Sequence, residues 1–174
     1  MAQIIWLALG YNVPVNPSKN RVYVWRKLKE IGAGYFRPGV AILPKTPESL
    51  AQFRVLSQKI RDMGGEAVLA ELRFLEEKDE ARTVHTFREQ SRNEYLALMK
   101  DCASLMSSIR KNISADQEAD SVRKVMRRYG KVKSRDYFGS GQRGEMVGLL
   151  DELAGDIAHS ASELAGQLRA LLMD

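Results

Sequence analysis

Thirteen residues near the middle of the second half, RKVMRRYGKVKSR (123–135), carry seven cations and no acid: Arg123, Lys124, Arg127, Arg128, Lys131, Lys133 and Arg135. The chemistry such a run offers is anion neutralisation, because guanidinium and ammonium groups bond phosphate oxygens and release condensed counterions. Like charges this close on a helix repel, so the run calls for a counter-anion. Two sources are open. One is internal, since residues 144–174 carry a net −5 with Asp151, Glu152 and Asp156 among them; the other is an external polyanion. At helical spacing Arg123, Arg127 and Arg128 share a face, while Val122, Val125, Met126 and Tyr129 point inward.

A second basic stretch, RVYVWRKLK (21–29), places Trp25 on an expected buried face and Arg21, Arg26, Lys27 and Lys29 largely elsewhere. Read blandly it is the solvated back of a helix; read functionally it tracks phosphates, with Arg37 and Lys45 extending it. The stretch SRDYFGSGQRGE follows the first basic run. There Asp136 can bond nearby backbone donors, Tyr137 and Phe138 are natural anchors, and Gly139, Gly141 and Gly144 permit positive φ. With Arg143 it reads either as a hinge between helices or as an oxyanion-holding loop before a helix N-terminus. Charge is unevenly spread: +6 over residues 1–74, −3 over 75–120 and +7 over 121–143, within a total of +5.

Signals for catalysis are poor, and no catalytic residue, metal ligand set or cofactor is expected. His85 and His159 fall in different helical patterns, with no cysteine or carboxylate cluster at ligand spacing. Cys102, the single cysteine, lies in an apolar helical stripe and reads as a core residue. Some small nucleases place an aspartate at the end of the first strand, in a Tyr-Asp-x-Pro run, so that a dimer can hold a divalent metal. The chain has Tyr11-Asn12-Val13-Pro14 there, and a neutral amide supplies neither charge for the metal nor a base.

The elements that must position these groups follow from local patterns. Ile4–Tyr11 is an apolar run ending in turn chemistry, a buried first strand. It lacks the basic n-region of a signal peptide and is too short to span a bilayer, so a cytoplasmic location and no membrane partner are expected. Ser18 is the expected N-cap of a helix with Val22, Trp25, Leu28 and Ile31 on one face, ending at Gly32. Ala33–Arg37 and Val40–Pro44 form a hairpin about Pro38-Gly39. Thr46 and Pro47 open a helix reaching Gly64-Gly65, and Glu66–Phe74 alternates with Val68, Ala70, Leu72 and Phe74 on the expected inner face. The order is βαββαβ, predicting a ferredoxin-like domain over residues 1–74 in an α+β protein. Residues 75–174 read as a helical extension of about three helices packed on it, the second opened by a Ser114/Gln117 capping box and the last running from Met146 to Leu171.

With these residues in place, the chain resembles a known family. WLALGYNVP, RVYVWRKLKEIGAGYFRPGVAILP, GGEAVLAELRF, FREQSRNEYLAL and YGKVKSRDYFGS, in that order, are similar to the N-terminal domain of the ChrB family of chromate-resistance proteins. The Arg-Asp-Tyr-Phe-Gly core is the most specific of these pieces. LKEIGAGYFRPGVAILP is more distantly similar to the C-terminal ferredoxin-like domain of the PaaX repressors. The resemblance implies a chromate-responsive regulatory or accessory protein, in some members a transcriptional regulator. Longer members carry a further C-terminal domain, so a chain stopping at Asp174 is expected to work with a separately encoded partner. The expected function is therefore non-enzymatic regulation through double-stranded DNA or partner binding on the basic surfaces. The alternatives are a small-oxyanion sensor, in which Arg135, Arg143 and loop amides around Gly139 hold chromate, and a metal-dependent nuclease, disfavoured by Asn12. A homo-oligomer, such as a dimer through the sheet or long helices, is compatible with each.

Overall fold

The computed structural model describes residues 3–111 and 114–173; positions 1 and 174, the outer limits of the two expected domains, lie outside that set. Chain order is β1 (Trp6–Asn12), α1 (Ser18–Glu30), β2 (Gly34–Arg37), β3 (Val40–Pro44), α2 (Pro47–Asp62), β4 (Glu66–Leu72), α3 (Glu77–Ile109), α4 (Ala115–Arg135), α5 (Arg143–Asp156) and α6 (Ser162–Met173). The chain divides into two compact units, Met1–Thr83 and Val84–Asp174.

In the first unit the sheet order is β2-β3-β1-β4, and every neighbouring pair is antiparallel. β1 and β2 therefore run parallel with β3 between them, and β3 and β4 run parallel with β1 between them. These are two interleaved split βαβ units, the ferredoxin-like arrangement within an α+β protein. Successive residues of a strand face opposite sides, and β1 is buried on both: Leu7 and Leu9 on one side, Trp6 and Ala8 on the other. That is why it reads as an unbroken apolar run. On the Trp6 side the indole meets Phe74 edge-on at 5.8 Å, and its Nε1 donates to Glu80 Oε1 at 3.1 Å.

Local chemistry places the joints. Thr46 caps α2, its Oγ1 accepting from Ser49 N–H at 3.0 Å while Ser49 Oγ accepts from Thr46 N–H at 2.8 Å. Gly39 turns the β2–β3 hairpin with φ +74°, and its carbonyl accepts from Tyr11 N–H at 2.8 Å. Gly65 joins α2 to β4 where a Cβ would stand 2.5 Å from the Asn12 carbonyl oxygen, so only glycine lets the chain pass.

Three local expectations are corrected. Ser18 is the first helical residue rather than the cap; Pro17 precedes it, with no side-chain cap. On α1 the buried positions are Val24 and Leu28, one helical turn apart, while Trp25 is 50% exposed and Val22 43%. The apolar surface of α1 is wider than the strip its neighbours cover, so the Val22–Trp25 flank stays in solvent. On β4 the start of the strand departs from the expected face: Ala67 is buried and Val68 is 67% exposed. The register gives the reason: Val68 lies opposite Gly10, which offers it no side chain, whereas Leu72 of the same phase lies opposite Trp6 and is half-buried.

The second unit has its own core, in which Tyr95, Leu98 and Cys102 of α3 meet Val122, Val125 and Tyr129 of α4, together with Met146, Leu150, Leu164 and Leu168 of α5 and α6. Four helices, rather than three, follow β4 among the described residues. The apolar spacing from Met146 to Leu171 is carried across a break at 157–161, where α6 folds back against α5. Ser160, in that break, donates to the buried Glu118 of α4 at 2.5 Å. A turn that preserves the apolar period is invisible to a period count. No helix among the described residues is long and apolar enough to cross a membrane.

Candidate functional site

The basic run occupies the second half of α4, and its cations fall into two groups. Arg123 lies 3.5 Å from Asp120 of the same helix, Arg128 bonds Asp101 of α3, and Arg135 meets Glu94 of α3 at 2.5 Å. The bond from Arg128 holds the Asp101 carboxyl below its ordinary range. Lys124, Arg127 and Lys131 are exposed and Lys133 half-buried, and among the described residues none of the four has a carboxylate within 4.0 Å. The internal counter-anions thus come from α3 and from α4 itself rather than from the C-terminal helices. Asp156 and Asp151 serve Arg110, at 2.9 Å, and Arg169, at 3.5 Å, instead.

The inward face of α4 is as the spacing requires. Val122, Val125, Tyr129 and Val132 are buried and Met126 partly so, which turns Lys124, Arg127 and Lys131 outward. One turn of helix separates Arg127 from Lys131. The result is an open, positively charged face.

Beyond Arg135 the chain turns through Asp136–Gln142 into α5. Phe87 of α3 anchors that turn, meeting Tyr137 edge-on at 6.1 Å and Phe138 at 5.7 Å, while Arg88 Nε donates to the Phe138 carbonyl at 3.2 Å. Gly139 and Gly141 take φ of +67° and +86°. Asp136 Oδ2 accepts from Ser140 N–H at 3.3 Å. A carboxylate therefore occupies one of the loop amides, and Arg135 is bound to Glu94. The turn is a packed joint, with Arg143 exposed at the start of α5.

Behind the joint lie two fully buried phenols, Tyr95 and Tyr129, whose hydroxyls have no hydrogen-bond partner among the described residues. Burial, with smaller contributions from the Asp136 charge and from Tyr129, pushes the Tyr95 phenol up to about 12. Cys102 is buried too; burial, helped by Glu152, pushes its thiol up to about 11, which keeps it protonated and inert. His85 and His159 are both exposed. Among the described residues no three His, Cys, Asp or Glu side chains gather as metal ligands would.

The first unit places its cations differently. Arg21 and Arg26 line an open cleft of about 800 Å³ that also includes Tyr11, Trp25 and Tyr35. The Tyr11 and Tyr35 hydroxyls are 3.4 Å apart. Burial, then the Tyr35 hydroxyl, raises the Tyr11 phenol well above the ordinary tyrosine range, with Arg21 pulling the other way. Lys27 is turned to Glu30 at 2.8 Å, and Lys29 sits 4.8 Å from the Trp25 ring centre. Arg37 lies at the end of β2, 6.0 Å from the Phe36 ring, and Lys45 bonds Glu71. Of the expected set, Arg21 and Arg26 come together in the cleft, and Lys124, Arg127 and Lys131 on one face of α4. The rings of the cleft escaped sequence reasoning, because Tyr11 and Tyr35 become neighbours only through the β1–β3–β2 pairing.

Comparison with known proteins points one way. The family described as Protein ChrB, N-terminal, matches residues 21–169. A protein from Cupriavidus metallidurans named Protein ChrB is 28% identical over 137 residues, which cover 76% of this chain and 40% of that relative. No solved structure gives a significant match.

Proposed function

The chain belongs to the ChrB N-terminal family, and we propose that it serves chromate resistance as a cytoplasmic, non-enzymatic regulatory protein that binds the phosphate backbone of duplex DNA through α4. The observation that carries this reading is the outward row of Lys124, Arg127 and Lys131, which has no carboxylate partner among the described residues although α3 neutralises the cations beside it. Seven residues of helix extend roughly 10 Å, and duplex DNA presents about one charge per 1.7 Å of its axis. The row therefore meets several phosphates at once. Because these contacts release counterions, binding should fall steeply with salt while carrying little base preference of its own.

The test is fluorescence anisotropy of a labelled duplex titrated with the full chain, between about 50 and 200 mM salt. Binding at low salt with a linear log–log salt dependence is expected. The triple variant Lys124→Glu, Arg127→Glu and Lys131→Glu should bind roughly a hundredfold more weakly, with a salt slope smaller by about three. All three side chains are exposed and unpaired, so the variant should retain its circular dichroism. Absence of binding at low salt, or an unchanged affinity in the triple variant, would remove the proposal.

A further inference from the structure

The cleft of the first unit is a different kind of place from the α4 face. It is concave, at about 800 Å³ within the range of roughly 300–1,000 Å³ that small-molecule sites occupy. Two guanidinium groups, Arg21 and Arg26, line it, and none of its lining residues is Asp or Glu. Among the described residues neither arginine has an ion-pair partner. Flat rings stand beside these cations in solvent, with Trp25 50% and Tyr35 49% exposed. Apolar surface that is contiguous and rimmed by polar groups, rather than scattered singly, marks binding sites.

We infer that this cleft binds a nucleoside monophosphate unit, with the phosphate on Arg21 and Arg26 and the base against Trp25 and Tyr35. Charge complementarity selects an anion, since a site with two unpaired guanidiniums and no carboxylate repels a cation and favours phosphate in bidentate geometry. The rings select what the anion is attached to. A simple inorganic oxyanion has no use for an indole and a phenol, whereas a nucleobase stacks on either face-on, whatever its identity. Tyr11 remains protonated, because burial and its bond to Tyr35 both disfavour the phenolate, and by donating to Tyr35 it leaves the Tyr35 hydroxyl free to donate to the ligand. The cleft is built from β1, α1, β2 and the turns that follow β1 and β2, so it shares no residue with the α4 row. The nucleotide unit can be free or a residue of a single strand.

Intrinsic fluorescence reads the site directly. The chain has two tryptophans, of which Trp6 is fully buried and Trp25 exposed in the cleft. The full chain is titrated separately with adenosine monophosphate, adenosine, inorganic phosphate and a short single-stranded oligonucleotide. Saturable quenching by adenosine monophosphate is expected, at concentrations roughly tenfold below those needed for adenosine or phosphate. The double variant Arg21→Ala and Arg26→Ala should weaken the monophosphate by roughly tenfold or more and leave adenosine nearly unchanged. The α4 triple variant should leave both titrations unaltered, which separates this site from duplex binding. Tighter binding by the oligonucleotide, competed by the monophosphate, assigns the unit to a strand; weaker binding assigns it to a free nucleotide. No saturable response to either, no advantage of the monophosphate over phosphate, or indifference to loss of both arginines would overturn the inference.

Discussion

On α1, Arg21 and Arg26 stand beside tyrosine and tryptophan rings in a cleft that no carboxylate lines; on α4, Arg123, Arg128 and Arg135 each meet one, and the remaining cations lie along an open face. The two stretches look alike as strings of Lys and Arg. What separates them is the neighbouring element. α4 shares a core with α3, whose acidic residues reach across to it, whereas α1 shares its cleft with Tyr11 of β1 and Tyr35 of β2. A neutralised cation holds the fold, and one left unpaired is free for a ligand. The shape around it differs too, an open helix face on α4 and a ring-lined cleft on α1.

That contrast can be broken first at Phe87. Its ring is buried and holds both Tyr137 and Phe138, so Phe87→Ala should cost about 3–5 kcal/mol in the second unit, read as a lower urea midpoint. Duplex binding should weaken with it as α4 loosens, while quenching by adenosine monophosphate in the cleft persists. Loss of both together would mean that the two surfaces are not independent.

A subtler change sits at Tyr95. Its hydroxyl is buried without a partner among the described residues, so Tyr95→Phe should alter stability at neutral pH by no more than about 1 kcal/mol. The folded phenol titrates at about 12 against the ordinary 10.0. The folded state thus holds its proton where the unfolded chain has lost it. That contribution is complete below pH 10 and disappears as pH rises toward 12. Alkaline unfolding followed by circular dichroism should therefore begin at higher pH in Tyr95→Phe than in the parent chain. An identical alkaline limb would show that the phenol does not face the Asp136 charge in a dry environment.

The smallest effect sharpens the distinction within α4 itself. Arg127→Ala should weaken duplex binding and leave stability unchanged, whereas Arg128→Ala should change binding less and remove an ion pair, the one with Asp101. Both partners of that pair are substantially exposed, so the loss should be at most about 1 kcal/mol. Equal thermal midpoints for the two variants would place Arg128 with the free cations.

Much of the fold was legible because its signals are local. The Thr46-Pro47 helix start, the Pro38-Gly39 turn and the βαββαβ order each rest on residues a few positions apart, and all are found as read. Phases were less secure. Trp25 and Val68 were expected inside and lie in solvent, since only the packed neighbour chooses which apolar residues it covers. The break at 157–161 was hidden because the apolar spacing continues through it. Of the candidate sites, the α4 cations were visible as a run, but the rings beside Arg21 and Arg26 were not.

By itself the amino-acid sequence determined the order of strands and helices, the joints between them, the two concentrations of positive charge and the Arg-Asp-Tyr-Phe-Gly segment that marks the family. Periodicity, capping and turn preference act over one to four residues, so a linear string contains them. Tertiary structure alone decided that Arg128 and Arg135 are neutralised while Arg127 and Lys131 are not, and that Tyr11 and Tyr35, 24 positions apart, share a cleft with two arginines. Ion pairing and ring contacts depend on distances between remote parts of the chain, and those distances exist only once the strands are paired and the helices packed.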